Sequence, residues 1–481
     1  MHHLLSRFEA SVANTPDRPA ACDQSLVLDY KSFRAIACGL ASQINAQTNA
    51  PRVGILAPTS TACAAAILAC WYAGKTPVPL NFFLAPAELG KIVRDAGFDL
   101  IITIDHFLPQ VQATGLKTIM LNAKTMVPGQ LAAPAAGPSD TAAFIYTSGT
   151  TGEPKGVVLT FENLVSNALA AMAQAKITPD QTFLSVLPQF HSFGLTALTV
   201  LPLMIGATVW FLPRFSPAAV VNLIHEKQIT IFIAVASMFA AMAKMRSANA
   251  SQLASLKLAV SGGEPLSLNV AELFKQKFNI CLQEGYGMTE SAPVVSLNVP
   301  WKRKLGSVGT ALPGIEVYAV DAHGQRLGAN LEGELVIRGP NVMAGYHNKP
   351  DATAASIRSG GLHSGDIGKV DDEGFIYITG RAKEMIIVGG ENVFPREIED
   401  VVAQHPAVAE VAVIGVRDDL RGELPVAFVI LHDGATADEN EIRTFCRDKL
   451  AGYKVPRDVK IATDLPRGPT GKILKRALKV D

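Results

Sequence analysis

The sequence lacks a cysteine framework. Six cysteines, at 22, 38, 63, 70, 281 and 446, are scattered over 481 residues, and none forms a C-x-x-C or a Cys/His cluster. Neither a zinc site nor a disulfide scaffold is indicated, and a reducing cytoplasm fits. The chain has no net charge: 43 Lys and Arg balance 43 Asp and Glu, which argues against a nucleic-acid partner. No signal peptide is expected, because residues 1–10 carry Arg7 and Glu9 and no long apolar run. An uninterrupted membrane span is also missing. Residues 192–213 carry no charge, and their length approaches the ~20 residues that a spanning helix needs. Pro202 and Gly206 interrupt them and 207–212 reads as a strand, so a buried helix followed by a buried strand is expected. No internal repeat is evident. With 481 residues, 48% of them hydrophobic, the chain is too long for one ordinary core, and two or more domains are expected.

Strand-like and helix-like patterns alternate over most of the chain. Leu4, Leu5, Phe8 and Val12 have helical spacing, which Asn14-Thr15-Pro16-Asp17 breaks. Residues 26–30 read as a strand and Ser32 as the cap of a helix through Leu40. Strands at 53–56, 76–78 and 101–104 enclose helices at 61–73 and 88–96. After a surface connection rich in Ala, Pro and Gly at 124–140, the rhythm resumes with a helix from Asn163, a strand at 183–186 and a helix after His191. Strands at 208–212, 229–234 and 256–260 follow, with a helix at 238–245. This alternation predicts a parallel sheet covered by helices. Residues 305–340 change character: short strands such as 317–320 and 334–337, with Gly and Asp turns, predict an antiparallel barrel-like subdomain. The strand 375–379 ends at 380–383, where a domain boundary is drawn. Beyond it, helices at 395–404 and 439–450 and strands at 410–416 and 424–431 make a small α+β domain. From 449 to 479 the chain is locally basic, which by default is a solvated face.

One stretch concentrates polar chemistry. Residues 146–156 read Y-T-S-G-T-T-G-E-P-K-G, between a strand-like run at 142–146 and another at 157–160. Glycines let the backbone approach a ligand. Hydroxyls and free N–H groups in one concavity suit phosphate oxygens, and Lys155 adds a compact positive charge. The spacing is not that of the G-x-x-x-x-G-K-[ST] nucleotide loop. A polar hairpin turn is the alternative reading.

Five further stretches follow in order: Pro188-Gln-Phe-His-Ser-Phe-Gly194, Gly285-Tyr-Gly-Met-Thr-Glu290, His363-Ser-Gly-Asp366, Gly380-Arg-Ala-Lys383 with Gly389-Gly-Glu-Asn392, and Pro466-Arg-Gly-Pro-Thr-Gly-Lys472. Together the six resemble the adenylate-forming superfamily of acyl-CoA synthetases, peptide-synthetase adenylation domains and luciferases, over nearly the whole chain. The resemblance implies an α/β fold with a large N-terminal domain (1–380) of two helix-covered sheets plus the barrel-like subdomain. It further implies a hinge at 381–383 and a mobile α+β C-terminal domain (384–481).

The resemblance also assigns roles. Thr147, Ser148, Gly149, Thr150, Thr151, Gly152 and Lys155 should wrap the β- and γ-phosphates of ATP. Glu290 should ligate Mg²⁺, with Thr147 beside it. Thr289 should touch the α-phosphate, and Tyr286-Gly287 should face adenine with Gly262, Gly263 and Glu264 opposite. Asp366 should accept from the ribose hydroxyls and Arg381 should donate to ribose or phosphate. Lys472 should bridge the α-phosphate and the substrate carboxylate, and His191 should gate the acyl pocket. Lys383 matches the family's pivot, and Gly390 should leave room for the pantetheine arm of coenzyme A or of a carrier protein.

The acyl pocket is expected between the helix after His191, the strand ending near 235–238 and the segment 262–288. The side chains expected to face it are Phe, Leu, Val, Met, Ala and Gly. Without a fixed counter-charge, an apolar acid is favoured over a dicarboxylate or an amino acid. Fatty-acyl-CoA ligases and acyl-carrier-protein synthetases look most similar. The function so implied is ATP-dependent conversion of a carboxylic acid, medium- or long-chain, to an acyl-adenylate and then a CoA thioester. The alternatives are transfer to a separate acyl carrier protein, an aryl or dicarboxylic acid substrate, and a non-catalytic nucleotide sensor. Monomer and homodimer both remain open.

Overall fold

The computed structural model describes residues 3–148, 154–388, 391–418, 422–468 and 472–480. Its largest unit is a nine-stranded sheet. In spatial order the strands are Thr310–Ala311, Val294–Leu297, Gln283–Gly287, Leu258–Ser261, Ile231–Ala234, Thr182–Ser185, Thr208–Phe211, Pro19–Cys22 and Val27–Asp29. The six central strands run parallel and the flanking ones antiparallel. At the sheet's centre, Ile231–Ala234 and Leu258–Ser261 are short, fully buried and nearly all apolar, as a sheet buried on both faces requires. A second, four-stranded parallel sheet is ordered Thr76–Pro79, Arg52–Leu56, Leu100–Thr103, Lys117–Met120.

A third small sheet packs against Thr76–Pro79 of the second. The strands Thr141–Ser148 and Pro154–Thr160 pair antiparallel, and Gly345–Tyr346 adds to the second of them. The pairing runs through Tyr146 opposite Gly156, Thr147 opposite Lys155 and Ser148 opposite Pro154, and Thr147 and Lys155 border the site described below. Five antiparallel strands, Glu316–Val320, Gly333–Arg338, Gly361–Val370, Ile357–Arg358 and Ile376–Arg381, form the barrel-like part.

Residues beyond 385 build a separate sheet from Glu391–Val393, Ile386–Val388, Gly422–Leu431, Val408–Asp418 and Asp458–Ile461, covered by the helices Pro395–Val402 and Glu439–Arg447. This region has its own buried cluster, including Ile386, Ile398, Val413, Val429 and Ile442.

One local reading changes and a second gains detail. The helix expected to be capped by Ser32 is Tyr30–Gln47, and its cap is Asp29, whose carboxylate accepts from the Ser32 N–H at 2.7 Å. An aspartate satisfies a first-turn N–H as well as serine does, and it also meets the positive end of the helix dipole. The uncharged segment near 192–213 is helical over Ser192–Leu195, widens to a π-turn at Thr196–Val200, returns to helix at Leu201–Ile205 and ends in the strand Thr208–Phe211. No helix among the described residues is long and apolar enough to cross a membrane.

Candidate active site

The carboxyl ends of the parallel strands Ile231–Ala234 and Leu258–Ser261 open onto a cavity of about 810 Å³. This is where open α/β sheets hold ligands. Thr147, Lys155, His191, Gly262, Gly263, Tyr286, Gly287, Thr289, Glu290, Arg381, Lys383 and Lys472 all line it, although they span 326 positions of sequence, from 147 to 472. A larger groove, about 1000 Å³, lies between the barrel-like part and the helix Pro395–Val402. Its walls hold none of these twelve residues, so the smaller cavity is the candidate site.

Backbone shape brings the lining close. Gly263 sits at φ +83°, and a Cβ there would stand 3.7 Å from Lys472 Cε. A Cβ on Gly287 would fall 1.9 Å from the Pro293 carbonyl oxygen, so only glycine fits there.

Asp366, expected at the ribose, lies just behind the lining, which His363, Ser364, Gly365 and Arg381 form there. It is 2% exposed and faces Arg381 across the strand pair. Arg381 Nε donates to its Oδ1 at 2.8 Å and the Tyr286 hydroxyl to its Oδ2 at 2.6 Å. These two donors occupy one acceptor position on each carboxylate oxygen. Burial, then the Asp366 charge, pushes the Tyr286 phenol well above its ordinary range, which keeps it a donor.

Lys472 is lowered, first by burial and then by the Arg381 charge, with Glu264 and Asp366 opposing. His191, at the start of the helix Ser192–Leu195, is pushed down to about 4 by burial and by the nearby Lys472 ammonium. A neutral imidazole beside a cation adds no second charge. An NMR titration of the His191 ring should accordingly show no protonation near the ordinary 6.5, and a midpoint there would contradict this packing.

Several placements differ from expectation or were not anticipated. Glu264 does not line the cavity. Its Oε1 accepts from the Ser237 N–H at 2.5 Å, satisfying a first-turn N–H of the helix Ala236–Lys244. Met238, on the same helix, also lies off the lining, and the pocket wall there comes from Ile233 instead. A further wall was missed: Ala171 and Ala175 of the helix Phe161–Ala175, with Ile177. Tyr346 was missed as well. Its hydroxyl donates to Glu290 Oε1 at 2.8 Å, and Lys155 Nζ lies 4.9 Å from its ring centroid. Ser192 Oγ donates to Thr289 Oγ1 at 3.2 Å. Gly149, Thr150, Thr151, Gly152, Gly390 and the side chain of Ser148 lie outside the described residues.

Charge is partitioned along the cavity. Lining residues between 171 and 263 carry one titratable group, His191; the charged lining comes from Lys155, Glu290, Glu334, Arg358, Arg381, Lys383, Glu384 and Lys472. No group of three or more His, Cys, Asp or Glu that could hold a metal exists among the described residues. One glutamate fits Mg²⁺ when substrate phosphates and water complete its shell. Among the lining carboxylates, Glu290 is the one held by the Tyr346 hydroxyl.

The family model described as "AMP-binding enzyme" matches residues 8–347, and that of the "AMP-binding enzyme C-terminal domain" matches residues 397–472. The long-chain-fatty-acid–CoA ligase of Bacillus subtilis (strain 168) is 33% identical over 99% of this chain and 94% of its own length. The ATP-bound structure of MatB from Rhodopseudomonas palustris overlays with a TM-score of 0.93 at 29% identity, covering 99% and 98% of the two chains. The apo form of MatB overlays at 0.81. The o-succinylbenzoate CoA synthetase of Bacillus subtilis, in complex with its acyl-adenylate intermediate, overlays at 0.89 with 31% identity, covering 100% and 98%.

Proposed function

Since the chain belongs to the AMP-binding enzyme family, we propose that it joins a medium- or long-chain fatty acid to the thiol of coenzyme A. The chain is an acid–thiol ligase that works through an acyl-adenylate. The acid class is our own reading. The observation that supports it is the uncharged wall from Ala171 to Gly263, which offers no counter-charge to a second carboxylate.

The chemistry follows from the geometry. A substrate carboxylate oxygen attacks the α-phosphorus of ATP, and the bond to pyrophosphate breaks. Lys472 stabilises the charge on the transferring phosphate and holds the attacking carboxylate. Asp366, held by Arg381 and Tyr286, fixes the ribose, while Thr147 and Lys155 meet the outer phosphates. Mg²⁺, held by Glu290 with Thr147 beside it, would supply positive charge to the pyrophosphate leaving group. The thiol then attacks the acyl carbon and AMP departs. The division at 381–383 is part of the same reading: residues 384–481 present Lys472 in the first step and rotate about Lys383 for the second. The better overlay on an ATP-bound than on an apo relative supports the adenylating pose.

Along a series of straight-chain acids, kcat/KM should rise by about tenfold for every two carbons until the pocket is full, since each buried methylene contributes ~0.8 kcal/mol. Ala197→Leu, on the uncharged wall, should move the optimum to shorter acids with KM for ATP unchanged. An aryl acid is the second reading, favoured by the likeness to the o-succinylbenzoate enzyme. Better turnover of benzoate, malonate or acetate than of every longer straight-chain acid would overturn the fatty-acyl assignment. Higher turnover with a holo carrier protein than with free coenzyme A would reassign the acceptor.

A further inference from the structure

We propose that Lys475 is a positioning residue for the adenylation step, fixing Lys472 over the nucleotide side of the cavity through Glu399 and Glu384. This rests on the reading of Lys472 as the adenylation lysine.

Lys472 lies at the base of a hairpin: the Gly468 N–H donates to its carbonyl at 2.7 Å, and the Leu474 N–H donates to the Pro466 carbonyl at 2.7 Å. Ile473, Leu478 and Val480 pack on Ala412, Val426 and Phe428. These contacts hold the segment to its own sheet. They do not set Lys472 against Arg381 and the turn Ala382–Glu384, which line the nucleotide side.

Lys475 does. Its Nζ lies 2.8 Å from Glu399 Oε1, on the helix Pro395–Val402, and 3.0 Å from Glu384 Oε2, on that turn. Glu399 is itself fixed, because its Oε1 accepts from the Val413 N–H at 2.7 Å. Burial would push Lys475 down, but the two carboxylates more than offset it and keep the ammonium charged. Burial also raises Glu399, with Lys475 opposing. One partner would satisfy a structural lysine. The second, Glu384, is 42% exposed, so its ion pair adds little to stability. Yet it joins the Lys472 segment to the turn that follows Arg381.

The test compares Lys475→Met, Lys475→Arg, Glu384→Gln and Lys472→Ala in the full chain. The readouts are ATP–pyrophosphate exchange, KM for ATP, thioester formation from supplied acyl-adenylate, and Tm. Because ångström-scale misplacement of a reacting group costs up to about a hundredfold, Lys475→Met should lower the adenylation kcat by about thirtyfold and Glu384→Gln by about fivefold. KM for ATP and the thioester step should change by less than about threefold, and Lys475→Arg should recover most of the loss. Lys475→Met leaves Glu399 buried without its cation and can destabilise the fold; Glu384→Gln does not, so it carries the test if Tm falls. Equal loss of both half-reactions, or full adenylation in Glu384→Gln, overturns the proposal. Full adenylation in Lys472→Ala overturns the reading beneath it.

Discussion

Replacing Lys472 by alanine should cut acyl-adenylate formation by about a hundred- to a thousandfold, the usual cost of removing one preorganised charge from a water-poor site. The ammonium is lowered by burial and flanked by His191, Arg381, Glu264 and Asp366, so bulk water will not replace it. Conversion of supplied acyl-adenylate to thioester should stay within about threefold of the parent, since no pentavalent phosphate forms in that step. The two half-reactions are read separately, by ATP–pyrophosphate exchange and by thiol consumption from synthetic adenylate. Matching losses in both would mean that Lys472 supports the fold or general binding instead.

Lys383→Pro should give the opposite split. Lys383 lies in the 3₁₀ turn Ala382–Glu384. The φ of such a turn, about −50 to −70°, matches the −65° or so that proline imposes. The pose described here therefore tolerates proline and pyrophosphate exchange should survive. Rotation about this residue needs another φ, so overall thioester formation should fall by about a hundredfold or more. Wild-type rates in both assays would place the pivot elsewhere.

Local chemistry was legible in the sequence and shared walls were not. Residues 146–156 announced a glycine- and hydroxyl-rich stretch, and the strands Thr141–Ser148 and Pro154–Thr160 pair on either side of it. The α/β alternation gave the parallel sheets, but not that Pro19–Cys22 from the first residues inserts beside Thr208–Phe211; that pairing rests on contacts almost 190 positions apart. Ala171 and Ala175 have the same helical spacing as any core alanine, so nothing in one dimension separates a residue that faces a cavity from one that faces a neighbour. Met238 failed for the converse reason: an apolar residue just after a strand looks like a pocket wall until the helix turns it away. Tyr346 is 56 positions from the Glu290 that its hydroxyl orients, and no local pattern marks that pairing. Ser32 was read as a cap when Asp29, three positions earlier, caps its N–H, because either side chain can serve a helix start; Glu264 was read as a ligand wall, and its bond to the Ser237 N–H spans 27 positions that no local pattern links.

The central claim, an apolar acid activated as its adenylate in this cavity, is tested most directly by leaving out the thiol. Enzyme incubated with ATP, Mg²⁺ and a medium- or long-chain fatty acid, then quenched and analysed by mass spectrometry, should yield about one acyl-AMP per site, because a bound adenylate is held away from bulk water. Adding coenzyme A should convert it to acyl-CoA and AMP in equal amounts. ADP in place of AMP, or acyl-AMP absent with every fatty acid tried, would contradict the account.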